Sequence, residues 1–161
     1  MVSPHEPTRR IGEILIARHL ITPQQLEQAL SQQRSTKEFL GAILIRMGLI
    51  KPDTLLATLS EQFGIPQETV SPDRIDWTVV KQFPASILAE RLCFPLRADA
   101  ESVTVAIANP LDAWSLSAME NASGFRKIKP VLVLEAELRL LQQAYQERSL
   151  RDIQAHLNKQ P

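Results

Sequence analysis

Sliding the first sixty residues of the chain along themselves brings them into match at an offset of 29. Two 24-residue blocks result, RIGEILIARHLITPQQLEQALSQQ from Arg10 to Gln33 and FLGAILIRMGLIKPDTLLATLSEQ from Phe39 to Gln62, joined by the five residues RSTKE. Eleven of the 24 positions are identical, among them Gly12/Gly41, Leu15/Leu44, Pro23/Pro52, Leu26/Leu55, Leu30/Leu59 and Gln33/Gln62. Chance does not supply that in a sequence of mixed composition. The chain must therefore build one small unit twice.

Each block reads as a helix, a turn and a second helix, because apolar residues recur at three- and four-residue spacing (Ile11, Ile14, Leu15, then Leu26, Ala29, Leu30). Thr22 followed by Pro23 and Gln25 is a capping-box arrangement, in which the proline stands where no amide donor is needed. Gly48 falls where the first helix of block two should end in left-handed backbone, and His19 takes the same place in block one as a weak cap. Stacked helical hairpins with a shared Leu and Ile core account for the aliphatic positions. They leave Gly12 and Gly41 unexplained, since glycine costs ~1 kcal/mol relative to alanine inside a helix. Close approach of another backbone and close approach of a ligand phosphate both remain open. Both blocks also end on glutamine, which offers donor and acceptor together to a base edge.

With those residues in view, the repeat resembles the tandem motif of the MshEN domain, the cyclic di-GMP-binding type of N-terminal domain on type II secretion and type IV pilus assembly ATPases. The motif, RLGxxLVxxGxIxxxxLxxxLxxQ, is used there twice with a five-residue spacer. The first copy here keeps Arg10, Gly12, Leu15, Ile21, Leu26, Leu30 and Gln33, and the second keeps Leu40, Gly41, Leu44, Gly48, Ile50, Leu55, Leu59 and Gln62. The resemblance implies that each block takes half of a two-fold symmetric dinucleotide. Arg10, Ile11, Gly12, Leu26, Leu30 and Gln33 would serve one half, and Leu40, Gly41, Leu55, Leu59 and Gln62 the other. It also implies a regulatory domain that controls a fused or docked effector, a secretion or pilus ATPase or an inner-membrane glycosyltransferase, at the cytoplasmic face of that membrane. Phe39 departs from the pattern where a basic residue is common, and Ala42 where some members carry an acid. Phe39 can stack on a base but cannot meet phosphate charge. These departures favour the alternative, a protein-interaction adaptor of the same fold that binds no nucleotide.

The rest of the chain has another character. GIPQETVSPDRIDW reads as a linker, giving residues 1–9 as a tail, 10–64 as the helical subdomain, 65–76 as the linker, 77–146 as an α+β subdomain and 147–161 as a frayed helical tail. Short helices broken at Pro84 precede strands at Leu92 to Arg97, Ser102 to Ala108 and Lys127 to Val133; one helix, from Asn109-Pro110 to about Gly124, comes before the third strand and another, Glu135 to Tyr145, after it. The expected class is thus α+β, two tandem hairpins followed by a small, roughly three-stranded sheet. Within ANPLDAW, Asn109 reads as the cap and Pro110 as the first helical residue. Asp112 reads as a first-turn acid that favours the dipole, and the resemblance adds a contribution to the nucleotide site. Trp77 and Trp114 read as packing residues, and Cys93 as a buried apolar filler.

Composition narrows the classes of function. Lys+Arg and Asp+Glu number 18 each over 161 residues, and residues 1 to 62 carry seven of the former and six of the latter, so the basic field that a helix-turn-helix DNA binder needs is missing. A dinucleotide with two phosphates needs far fewer cations. No apolar run reaches the ~18 residues of a membrane span, and a single cysteine forms no intramolecular disulfide or cysteine-based zinc cluster. No glycine is followed by lysine, so no ATP-binding G-x-x-x-x-G-K-[ST] loop exists, and no H-E-x-x-H or G-x-S-x-G occurs. The expectation is a non-catalytic cytoplasmic receptor domain with cyclic di-GMP as ligand and no cofactor or metal.

Overall fold

The computed structural model describes residues 11–124 and 126–159. The chain divides into two compact units, the first ending at Gln62 and the second starting at Phe63.

The first unit holds the repeat as four helices, α1 (Ile11–Ala17), α2 (Pro23–Thr36), α3 (Leu40–Arg46) and α4 (Pro52–Phe63). The helix starts keep the 29-residue offset. Thr22 caps α2 as expected, its Oγ1 accepting from Gln25 N at 3.2 Å while Gln25 Oε1 accepts from Thr22 N at 2.8 Å. Copy two has Lys51 in that place and no such side-chain acceptor. His19 and Gly48 both adopt left-handed backbone, at φ 55° and 70°. The turn bonds match too: His19 N to Ile16 O and Leu20 N to Leu15 O, both 2.9 Å, recur as Gly48 N to Ile45 O at 2.9 Å and Leu49 N to Leu44 O at 3.0 Å. Leu15, Ile43 and Leu44 are fully buried, each contributing roughly 1.5–3 kcal/mol of apolar burial.

The second unit begins with residues that read as a linker. Val70 and Ile75 lie in its core, Glu68 N donates to Leu132 O at 2.9 Å, and the Glu68 carboxylate takes a two-pronged bond from Arg97 at 2.7 and 2.9 Å. Two short helices follow, α5 (Trp77–Val80) and α6 (Ala85–Glu90), on either side of Pro84. The sheet has the order β1 (Cys93–Ala98), β2 (Ser102–Ile107), β3 (Lys127–Leu132), with β1 antiparallel and β3 parallel to the central β2. Pro95 and Pro130 fall on the two edge strands, where a missing amide donor is tolerated. Almost every residue of β2 is buried, as a central strand requires. Asp99 fastens the β1–β2 turn: Oδ1 accepts from Glu101 N at 2.9 Å and Ser102 N at 2.7 Å, and Oδ2 from Ser102 Oγ at 2.8 Å.

Two helices differ from expectation. Helix α7 (Ala113–Ala122) starts later than Asn109-Pro110, because Asp112 is its cap. Asn109 instead closes a local turn, Oδ1 accepting from Leu111 N at 3.0 Å. Helix α8 (Glu135–Leu157) does not fray after Tyr145 but runs regularly to Leu157, through a stretch without glycine or proline that carries the i,i+4 pair Glu147–Arg151. Leu138 and Leu141 of α8 are buried in the core with Phe94, Leu96 and Leu132.

Candidate functional site

The repeat places its candidate ligand residues in two tiers. Gly12, Leu40, Leu55 and Leu59 are buried, whereas Ile11, Leu26, Gln33 and Gly41 are half-buried and Leu30 and Gln62 exposed. Arg10 lies outside the described residues. Copy one therefore presents its second-helix leucines to solvent, Leu30 at 37% exposure, where copy two hides the matching Leu59 at 7%. Beside Leu30 in the chain's apolar surface set stands Phe39, 43% exposed at the cap position of α3 with no side-chain cap bond.

The glycines now have a physical explanation. A β-carbon on Gly12 would lie 2.6 Å from Leu26 Cδ1, and one on Gly41 would lie 2.6 Å from Leu55 Cδ2. The two leucines are themselves 29 residues apart. Each hairpin thus closes by laying a leucine of its second helix across a glycine of its first, and the same contact is made twice. The approach is by a side chain, a third possibility beside the backbone and the phosphate considered from sequence.

Gln33 and Gln62 are not equivalent. Gln33 Nε2 donates to Glu38 O at 2.9 Å, fastening the spacer between the copies, which leaves Oε1 and one N–H for a ligand. Gln62 is exposed. Two arginines of this unit are held by carboxylates, Arg18 by Glu61 and Arg46 by Glu38, at 2.5 and 2.6 Å for the latter, with Arg46 also reaching Gln32 Oε1 at 3.1 Å.

Asp112 belongs to the second unit. Its Oδ1 accepts from Ser115 N at 3.0 Å and its Oδ2 from Ser115 Oγ at 2.6 Å, so both oxygens serve the cap. Next to it, Trp114 is 69% exposed with the Arg91 guanidinium 5.2 Å from its ring centroid, which overturns its reading as a packing residue. In α7 the buried residues are Ser115 and Met119, one helical turn apart, and Trp114 falls off that face. Trp77 does pack, edge-on to Phe94 at 6.2 Å with Nε1 donating to Pro72 O at 3.1 Å. Cys93 is fully buried, and burial pushes its thiol up to about 12.

Sequence reasoning missed Gln142, which is buried and donates to Leu88 O at 3.0 Å and Arg91 O at 2.7 Å, joining α6 to α8. It read the outer half of α8 as a frayed helical tail, where the helix is regular to Leu157. The three- and four-residue spacing of Leu150, Ile153 and Leu157 was the available signal. Among the described residues no group of His, Cys, Asp and Glu has the arrangement of a metal site, and no helix is long and apolar enough to cross a membrane.

Residues 63–152, more than half the chain, match the family model of the MshEN domain. The chain belongs to the MshEN domain family. The matched residues make up most of the second unit and exclude the repeat. Likeness over a longer span comes from solved structures. A structure of MshE with cdg, cyclic di-GMP, shares 25% identity and a TM-score of 0.74, covering 85% of this chain and 99% of that one. The N-terminal domain of XpsE shares the fold at 21% identity and a TM-score of 0.68, covering 88% and 98%. Among curated proteins, the type IV pilus assembly ATPase PilB of Myxococcus xanthus is 27% identical over 147 residues, 89% of this chain and 26% of the ATPase. Bacteriophage adsorption protein B of Escherichia coli K12 is 31% identical over 130 residues, 81% of this chain and 17% of that protein. The MshEN chain therefore spans about a quarter or less of the curated relatives it matches.

Proposed function

We propose that this MshEN domain is a non-catalytic receptor for cyclic di-GMP that controls a fused or docked effector. The observation that carries the reading is the doubled hairpin, in which one leucine-over-glycine contact occurs twice at a 29-residue offset, a quasi-symmetric frame for a two-fold symmetric ligand. The cyclic di-GMP in the MshE structure supports the choice of dinucleotide. Guanine faces lie on Leu26 and Leu30, the remaining polar groups of Gln33 and the amide of Gln62 meet base edges, and Arg10 supplies a cation for a purine or a phosphate. Buried Gly12, Leu40, Leu55 and Leu59, with half-buried Gly41, act by holding the two hairpins in shape. Asp112 contributes chiefly as the cap of α7. The effector is a secretion or pilus ATPase or an inner-membrane glycosyltransferase, and the domain works in the cytoplasm against it. Ligand reports to the effector only if the effector's two states bind the domain differently.

Calorimetry on the full chain tests the proposal. Cyclic di-GMP gives saturable heat, and both Arg10→Ala and Gln62→Ala bind it about tenfold weaker or worse, a loss of ~1.4 kcal/mol, with unchanged thermal melts. Gln62 is the better probe of the two glutamines because Gln33 also holds the spacer. A folded sample giving no heat at high micromolar ligand removes the receptor reading in favour of the adaptor, whose supporting observation is the exposed, uncharged Phe39 in place of a cation.

A further inference from the structure

The two copies of the repeat differ in what they offer the face of a base. In copy one the second-helix leucines reach the surface, Leu26 half-buried and Leu30 exposed. In copy two their counterparts Leu55 and Leu59 are buried, and so is Leu40 at the start of α3. The leucines that the motif assigns to the second half of a ligand therefore have no face to give it, although Gln62 is exposed and can meet a base edge.

Phe39 fills that gap. Among the described residues of the first unit, Leu30 and Phe39 are the large apolar side chains that stand exposed, one from each copy. The hairpin itself gives no reason for the ring. A phenylalanine cannot bond the free amides of α3 as a serine or aspartate at the cap would, and at 43% exposure it adds little to the core. Its backbone is anchored: the carbonyl of the preceding Glu38 accepts from Gln33 Nε2 at 2.9 Å, and the Glu38 carboxylate takes Arg46 at 2.5 and 2.6 Å. A ring carried on fixed backbone loses less freedom when a ligand orders it. The turn at residues 47–51 leaves Phe39 and Gln62 at the other, open end of their hairpin. A flat apolar ring and an amide at one end suit the face and the edge of a purine.

We propose that Phe39 is the base-stacking residue of the second half-site, holding one guanine of the cyclic dinucleotide by its face where the residue at the same place in copy one, Arg10, offers a charge. The inference rests on the receptor reading given above. Its test is calorimetry with cyclic di-GMP on the full chain, joined to fluorescence. Phe39→Ala binds at least about tenfold more weakly than the parent, with an unchanged thermal melt. Phe39→Trp keeps binding within about threefold, since every aromatic ring offers a stacking face. The introduced tryptophan is quenched at saturation, beyond any change that Trp77 and Trp114 give in the parent, a signal that a ring with only a structural role does not produce. That variant decides the matter where alanine also lowers the melt. A parent that binds while Phe39→Ala binds equally well, or a Phe39→Trp protein that binds without quenching, overturns the assignment and leaves the receptor reading standing. A folded parent that gives no heat at high micromolar ligand overturns both.

Discussion

At positions 12 and 41 the energetic balance runs against the usual helix scale. Alanine is better than glycine by ~1 kcal/mol in an open helix, yet a β-carbon here would stand 2.6 Å from a leucine methyl. The atoms met are the methyl ends of leucines, which turn aside at modest cost, so that cost and the helix gain of alanine largely offset and Gly12→Ala and Gly41→Ala each lower stability by less than about 1 kcal/mol in urea denaturation. In a Leu26→Ala or Leu55→Ala background the matching glycine substitution turns neutral or stabilising; a penalty that persists there would mean that the leucine is not its cause. Asp99 offers a second test by pH. The Ser102 hydroxyl and the amides of Glu101 and Ser102, with Lys129 3.6 Å away, hold its carboxyl down to about 2. A carboxylate depressed in the folded state contributes stability that is present above its unfolded value of about 3.9 and lost as pH falls toward the folded one. The stability difference between the parent and Asp99→Asn therefore shrinks between about pH 5 and pH 2. A difference constant over that window would show that the turn does not need the charge.

Among the elements, the two hairpin turns give a matched pair of experiments. His19 sits at φ 55° where its counterpart Gly48 sits at φ 70°, and no atom within 4 Å would meet a β-carbon on Gly48. Backbone conformation alone distinguishes them. His19→Gly raises the melting temperature, by about 0.5–1 kcal/mol of stability, and Gly48→Ala lowers it by about 1 kcal/mol. Opposite or null shifts would sever the link between the two turns. Such turns were legible in sequence because caps and left-handed positions are local chemistry. The strands were legible for a related reason, since aliphatic runs such as Ser102 to Ile107 are bounded by turn residues. The start of α7 was not, because Asn109, Pro110 and Asp112 all have cap chemistry and only tertiary packing of Ser115 and Met119 decides among them. The tail of α8 was legible as helix but not as regular helix, because beyond Gln142 no residue of it is buried and what holds it, side-chain pairs such as Glu147–Arg151 and Arg148 over Trp77, leaves no buried apolar face to read.

For the molecule as a whole, the two units are legible to different degrees. The repeat announces the first through 29-residue self-similarity, and the resemblance of its motif named the family. The second carries no repeat, but the family match falls there. Which candidate residues face solvent was not legible, since Leu30 and Leu59 occupy one motif position and differ only in what covers them. The second unit has a core of its own in Val80, Phe94, Leu96, Val103, Leu132 and Leu138, so a fragment from residue 63 to 159 melts cooperatively by circular dichroism. A broad, non-cooperative transition would mean that its core is incomplete. Cys93 adds a consequence for following that unit in solution. As the sole thiol of the chain, fully buried and protonated at neutral pH, it is shielded from alkylating reagents in the native state. Its rate of modification then times the opening of the sheet, so one native sulfur atom serves as a clock for half the protein without any label being engineered in.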